Sequence, residues 1–226
     1  MKSALLLIES SAEFPSVALA CVDSKALIWE SVYRVQQSHS EQLPLLVEQA
    51  VAQAGELEFS VVGIAVNEGP GSYTGLRIGS SLAKSLAYAW KIPLIGVSGL
   101  KALAQAAVQE LGTDWNQGSA IWAMMDARRS EVYALSLAFP DRITELRPYV
   151  LDEEPLPSVG TRIWAVGNGA FKVSDSYAQV ERELTARVLL SEALDKFAHQ
   201  TFADVAYFEP NYVKGFQPGV NKKYRL

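Results

Sequence analysis

Residues 61–87, VVGIAVNEGPGSYTGLRIGSSLAKSLA, decide the architecture of this chain. The apolar run from Val61 to Val66 has the length and β-branched content of a buried strand. It feeds a turn built on Gly69, Pro70, Gly71 and Gly75, and a helix opens directly from that turn. Strand, glycine turn and helix start together make the geometry of an anion or nucleotide site. The first helical N–H groups have no partner within the helix, and the dipole there favours negative charge. Gly69, Gly71, Ser72 and Thr74 are the candidate nucleotide contacts on this reading. The stretch departs from both familiar phosphate loops. Leu76 and Arg77 follow Gly75 where a Walker loop needs lysine and a hydroxyl, and the glycines are spaced GxGxxxG rather than GxGxxG. The next strand, ending at Val97, also lacks a terminal acid for a ribose. The alternative is that these glycines only shape a tight turn.

The helix carries a second pattern. Gly75, Gly79, Ala83 and Ala87 fall four apart and so line one inclined ridge with almost no side-chain bulk. Glycine inside a helix costs about 0.5–1 kcal/mol relative to alanine, so Gly79 needs a packing reason. That reason is either close packing on the chain's own sheet or the approach of a helix from a second subunit.

Composition bounds the function classes. Of 226 residues, 49% are hydrophobic and 20% charged, enough for a sizeable core in one large or two modest lobes. No run of eighteen apolar residues occurs, and Glu9 interrupts the short apolar start. The expectation is a cytoplasmic protein with no membrane partner. A single cysteine, Cys21, excludes an internal disulfide framework and reads as a small buried hydrophobe. The net charge of −5 argues against a chain whose main task is gripping nucleic acid. The local exception is the tail, where Lys214, Lys222, Lys223 and Arg225 follow Glu209 without an acid and interleave with Phe216 and Tyr224. Such a tail either touches RNA or an acidic partner or is simply solvated.

The opening reads as a meander over 4–8, 17–22 and 26–34, with Asp23 and Ser24 at a hairpin turn. A helix follows, with Ser38 or Ser40 as its cap, Leu43, Leu46, Val47, Ala50 and Val51 as its apolar face, and Gly55 as its end. Pro44 favours the later cap, because proline is comfortable only near the first turn. Strand 93–97 and helix 99–111 complete a first lobe over residues 1–111. Beyond the Gly112–Gly118 boundary, strands at 119–125, 131–139 and 144–151, a strand at 162–166 and a helix at 191–201 make a smaller lobe over 112–226 that begins like a shorter copy of the first. The fold class is therefore α/β with mixed sheets.

Familiar catalytic constellations are missing. His39 and His199 have no histidine or cysteine at metal-ligand spacing, and no GxSxG elbow occurs. Two carboxylates stand at strand ends where a cleft could receive them, Glu9 and Asp126; each could equally cap a turn. Arg128 and Arg129 could balance the charge of Asp126.

Several segments together carry a family resemblance: LLLIESSAEFPSVAL, SHSEQLPLLVEQAV, the GPGSYTGLRIG core with its flanks, MMDARRSEVY and the closing PNYVK. Across nearly the whole chain they resemble TsaB, also called YeaZ. The resemblance implies the two-lobed actin-like, sugar-kinase and Hsp70 ATPase (ribonuclease H-like) fold. It also implies a noncatalytic subunit of the bacterial machinery that makes N6-threonylcarbamoyladenosine beside the anticodon of tRNAs reading ANN codons. The implied partners are TsaD, the catalytic paralogue, and the ATPase TsaE; a homodimer forms without TsaD, and tRNA is met indirectly through the complex. No cofactor of its own is implied, with ATP or ADP a candidate at the contact with partners, and Glu9 joins the four turn residues as a candidate nucleotide contact. TsaD-like proteins carry His-x-x-x-His where this chain has Gly99 and Leu103, so the resemblance implies no metal and no catalytic residue here. By the same analogy Leu43, Leu46, Val47, Ala50, Gly75, Gly79, Ala83 and Leu86 form the subunit interface, and Gly79→Leu weakens partner binding. The rival reading is an independent actin-fold nucleotide-binding enzyme or a glycoprotease-like peptidase.

Overall fold

β1 (Lys2–Glu9) is buried from Ala4 onward on both faces, which is why it reads as a continuous apolar run rather than an alternating one. The computed structural model describes residues 1–35 and 39–213, so Ser38 and the basic tail from Lys214 lie outside the described residues. β2 (Ser16–Cys21) pairs antiparallel with β1, and β3 (Leu27–Val32) antiparallel with β2. α1 (His39–Glu56) leads into β4 (Phe59–Gly69), which lies parallel to β1. α2 (Tyr73–Trp90) then returns the chain to β5 (Leu94–Ser98), parallel to β4. The first sheet has the order β3-β2-β1-β4-β5.

α3 (Gly99–Leu111) leads to a second sheet made of β6 (Ser119–Asp126), β7 (Glu131–Ala138), β8 (Arg142–Ile143), β9 (Arg147–Val150), β10 (Arg162–Val166) and β11 (Ala178–Val180). Its order, β8-β7-β6-β10-β11 with β9 also on β7, repeats the plan of the first: an antiparallel meander followed by two parallel additions. Two sheets on this plan are the actin-like, ribonuclease H-like arrangement. α4 (Leu190–Ala198) returns the chain to the first sheet, against β5 and β1.

Alternation within the first sheet sends side chains into two cores. Leu6, Ile8, Leu19, Ile64 and Val66 meet α1 and α2 on one face. Leu5, Leu7, Ala65, Ile95 and Val97 meet α3, α4 and, beyond them, Ile121, Ala123 and Leu135 of the second sheet. α1 and α2 thus cover an outer face, while α3 lies between the sheets. α2 begins at Ser72, whose Oγ accepts the Gly75 N–H at 3.3 Å, a cap worth about 1 kcal/mol.

Several expectations need adjustment. α1 starts at His39 rather than after a Ser40 cap, and Pro44 sits in its second turn, exposed, so the carbonyl it leaves unpaired can reach water. Val51 is 38% exposed, because the helix face turned to the sheet runs through Leu43, Leu46, Val47, Ala50 and Ala54 instead. Of the strand expected over 144–151 only Arg147–Val150, β9, forms, with the two-residue β8 falling before that range, and the expected helix 191–201 runs from Leu190 to Ala198. Cys21 is buried, as its apolar context requires.

Candidate functional site

The end of β1 and the glycine turn meet in one buried polar cluster. Glu9 is fully buried. Its Oε1 accepts the Ser11 N–H at 2.5 Å, the Ser11 hydroxyl at 2.7 Å and the Ala12 N–H at 3.0 Å, and its Oε2 accepts from Asn67 Nδ2 at 2.5 Å. Asn67 Nδ2 also donates to Ser11 Oγ at 2.8 Å, while its Oδ1 accepts the N–H groups of Gly69 at 2.9 Å and Gly99 at 3.0 Å. Burial pushes the Glu9 carboxyl above the usual range, and the donors from Ser11, Asn67 and Ala12 work against that push.

The glycines make room for the chain's own β1–β2 loop. A Cβ at Gly71 would overlap Ser11, one at Gly75 would overlap the Ser10 carbonyl, and one at Gly79 would overlap the Ser10 hydroxyl. The loop is held there by Ser10 Oγ donating to the Gly75 carbonyl at 2.8 Å and by the Ser72 N–H donating to the Ser11 carbonyl at 2.9 Å. Gly69 adopts φ +122°, and a Cβ on it would meet the Asn211 carbonyl at 2.6 Å. Of the five candidate nucleotide residues, Glu9, Gly69 and Gly71 are therefore engaged internally, as is Ser72 through its N–H and its cap of α2 although its surface is exposed, while Thr74 is exposed. This seat does not fit a nucleotide phosphate: Ser10 and Ser11 occupy the space that the glycines open.

The same cluster accounts for Gly99. A Cβ there would overlap the Asn67 carboxamide, so no larger side chain fits, and Leu103, one turn on, is buried with 1% exposure. No group of three or more His, Cys, Asp or Glu poised for a metal occurs among the described residues. His39 Nε2 lies 3.2 Å from the Ala12 carbonyl, and His199 pairs within its own helix with Asp195. Asp126 is bound by Lys172 Nζ at 2.5 Å and by the Arg128 N–H at 2.8 Å, which hold its carboxyl below the usual range against the opposing effect of burial.

The predicted interface residues separate into two sets. Leu43, Leu46, Val47, Ala50 and Ala83 are buried in the chain's own outer core, with Leu86 packed at its edge. Gly75 and Gly79 face Ser10. The small-residue ridge is thus filled from within the chain, a correction to its assignment as a subunit contact, and Gly79→Leu would strike the β1–β2 loop first. The groove left open between α1 and α2 is lined instead by Pro44, Arg77, Ile78, Ser81, Leu82 and Ser85. Leu45, at 47% exposure, and Tyr88, at 80%, add apolar surface to the same two helices.

A cleft of about 480 Å³ lies between the sheets. Leu100, Leu103, Met124, Met125 and Phe14 give it apolar walls, and Glu13, Glu181 and Glu183 make its rim acidic, with Arg182 among them. Arg34 ties across the lobes to Glu183 by two hydrogen bonds of 3.0 and 2.7 Å. Glu30 receives Thr185 Oγ1 at 2.7 Å and Arg187 Nε at 2.7 Å.

Asn67, Ser10 and Ser11 were not singled out by the sequence reading. The available signal was Asn67 itself, a polar residue closing the apolar run VVGIAV, where only a saturated hydrogen-bonding role is compatible with burial.

Comparison with known proteins gives concordant results. The family model described as TsaD, tRNA N6-adenosine threonylcarbamoyltransferase, matches residues 33–145, half of the chain. The tRNA threonylcarbamoyladenosine biosynthesis protein TsaB of Haemophilus influenzae is 35% identical over 129 residues, covering 57% of this chain and 51% of that protein. The protein of the same name from Escherichia coli is 34% identical over 97 residues, covering 43% and 40%. The matched segment thus spans about half the length, or less, of these curated relatives. The solved structure of YeaZ from Pseudomonas aeruginosa shares the fold, with a TM-score of 0.75 at 24% identity over 93% of this chain and 99% of that one.

Proposed function

The chain belongs to the TsaB (YeaZ) family, and from that premise we propose that it is a noncatalytic scaffold for tRNA threonylcarbamoyladenosine formation. It pairs with a TsaD-type transferase, acts with the ATPase TsaE, and supports transfer of the threonylcarbamoyl group to adenosine 37 of tRNAs reading ANN codons. The observation that carries this reading is the Asn67 carboxamide lying over Gly99, with Leu103 below it. These are the two positions at which a TsaD-like chain carries metal-binding histidines. Here one has no room for a side chain and the other offers no lone pair.

The polar chemistry of the β1 end and the glycine turn is directed at the chain itself. Glu9, the one fully buried carboxylate among the described residues, is consumed by four donors, and the glycine turn receives Ser10 and Ser11. A peptidase or phosphotransferase needs a group free to meet a substrate, and neither cluster supplies one. The reading puts ATP or ADP at the contact with partners and none in this turn.

The groove between α1 and α2 is the surface we assign to the TsaD-type partner, or to a second copy when that partner is absent. Apart from the exposed Arg77, its outward residues are short or half-exposed, so two helices could settle there without displacing a side chain from the core. Light scattering of this chain alone, mixed with its cognate transferase, and mixed as Ser81→Arg/Ser85→Arg tests the assignment together with a tRNA modification assay. The expected result is a heterodimer required for modification and lost with the double variant, whose melting temperature stays at the wild-type value. Modification that proceeds at full rate without this chain overturns the scaffold reading.

A further inference from the structure

The tip of the β6–β7 hairpin carries two arginines in a conformation that arginine rarely adopts. Arg128 has φ +69° and Arg129 φ +49°, both in the left-handed region that glycine and asparagine enter most readily. Both residues are exposed. An exposed two-residue left-handed turn has no packing reason to hold arginine, and such outliers point toward function when the side chains are free to act.

They are free. Arg34, Arg147, Arg162, Arg182 and Arg187 each hold a carboxylate partner. No ion pair joins Arg128 or Arg129 to a carboxylate among the described residues. The nearby acid, Asp126, is already neutralised by Lys172 Nζ at 2.5 Å, and Lys172 is anchored further by the Glu131 carbonyl at 2.7 Å. Arg128, Arg129 and Lys172 against Asp126 and Glu131 leave the tip with a net positive charge in a chain whose net charge is −5. Beside it, the turn at 167–173 packs against the end of β6, with the Gly169 N–H on the Met124 carbonyl at 3.2 Å and the Asn168 side chain accepting the Asp126 N–H at 3.0 Å. That turn holds Phe171 at 64% exposure. Two free guanidinium groups next to an exposed ring make the combination that grips a phosphodiester backbone and stacks an unpaired base.

We propose that Arg128, Arg129 and Phe171 form a direct contact with RNA, the arginines on backbone phosphates and the ring under an unstacked base. The inference rests on the tRNA-modification reading above for the identity of the RNA, and it makes this chain a part of the RNA-binding surface rather than a bystander to it.

The test is tRNA binding by the complex of this chain with its transferase, followed over a salt series, with Arg128→Asn/Arg129→Gly, Phe171→Ala and Arg142→Ser. Asparagine and glycine suit the backbone of the turn, so the double variant keeps or raises the melting temperature while removing both charges. It is expected to weaken tRNA binding about tenfold near 0.1 M salt and to flatten the dependence of log K on log salt by about 1.5–2. Phe171→Ala is expected to cost about fivefold with the salt slope unchanged. Arg142, an exposed arginine paired with no carboxylate among the described residues and placed at the other end of β7, serves as the control, and its loss should change neither. Wild-type affinity and slope in the double variant, or an equal loss in Arg142→Ser, overturns the contact. If light scattering shows no complex, the scaffold reading fails separately, and the same variants are read on the chain alone. There, a loss confined to the hairpin tip upholds the contact, and absence of any tRNA binding overturns it.

Discussion

Asn67 donates to the Glu9 carboxylate at 2.5 Å while its own oxygen accepts the first N–H of α3 at 3.0 Å, so one carboxamide joins the ends of β1 and β4 to the helix that separates the two sheets. All of its hydrogen-bonding capacity is used within the chain.

Replacing Asn67 with Leu leaves Glu9 Oε2 and the N–H groups of Gly69 and Gly99 without partners. Unmade buried hydrogen bonds cost about 1–3 kcal/mol each, so a total loss of at least about 3 kcal/mol is expected. In a chain of this size that lowers the melting temperature by about 6–12 °C. Asn67→Asp keeps the shape but sets a second carboxylate against Glu9, and its deficit should shrink as acid protonates one of the pair. Thermal melts across pH read both variants.

Gly79→Ala is expected to destabilise the monomer by about 1–3 kcal/mol, because the added methyl overlaps the Ser10 hydroxyl. Ser10→Gly should restore part of that loss in the double variant, a coupling of about 0.5 kcal/mol or more. A Gly79→Ala protein that melts normally yet no longer binds its partner would return the ridge to the subunit contact.

Two of the ties between the lobes should differ in worth. Glu30 is largely sheltered, with its side chain 13% exposed, and receives Arg187 Nε, the Arg187 N–H and Thr185 Oγ1. Glu30→Ala should cost about 2 kcal/mol, since it strands these donors. The Arg34–Glu183 pair is 57% and 59% exposed, so Glu183→Ala should cost much less than Glu30→Ala and lose even that effect in high salt. Denaturant titrations of the two variants give the contrast.

Glu68 provides a pH dependence with a definite sign. Burial raises its carboxyl above the ordinary 4.5, with Lys196 opposing and Glu192 reinforcing the shift. The folded chain then holds this proton more tightly than the unfolded chain. Its contribution is fully present below the ordinary value and is lost as pH rises through the raised one. Glu68→Gln should lack that loss, so its stability curve should lie above the wild-type curve at neutral pH and be flatter on the acidic side. Equal curves would place the pH dependence elsewhere, with Glu9 the next group to replace.

Much of the fold was legible from periodicity. The continuous apolar run of β1 and the helical spacing in α1 and α3 have local causes, and α3 was bounded as the structure has it, from Gly99 to Leu111. The short β11, only three residues long, has no signature beyond its neighbours and went unseen. The glycine turn was legible as a place of close approach but not as to what approaches. Spacing along a helix shows that a ridge is bare, whereas its occupant, Ser10, comes from 65 residues away in the chain. The same limit applies to Gly99, whose reason for being glycine is the side chain of Asn67 in a neighbouring strand. Arg128 and Arg129 read as partners for Asp126 because they are adjacent in sequence; in the fold Arg128 does contribute its N–H and its charge, but the ion pair is made by Lys172, brought in by the turn after β10.

The filling of the glycine turn also bears on how information passes through this molecule. A hinge that opens and shuts about a ligand needs a seat that can be vacant. Here Ser10 and Ser11 sit in it, tied by the carbonyl of Gly75 and the N–H of Ser72. With the turn filled from within the chain, a signal relayed between neighbours would travel as the position and orientation of a lobe rather than as the coming and going of something held within that turn.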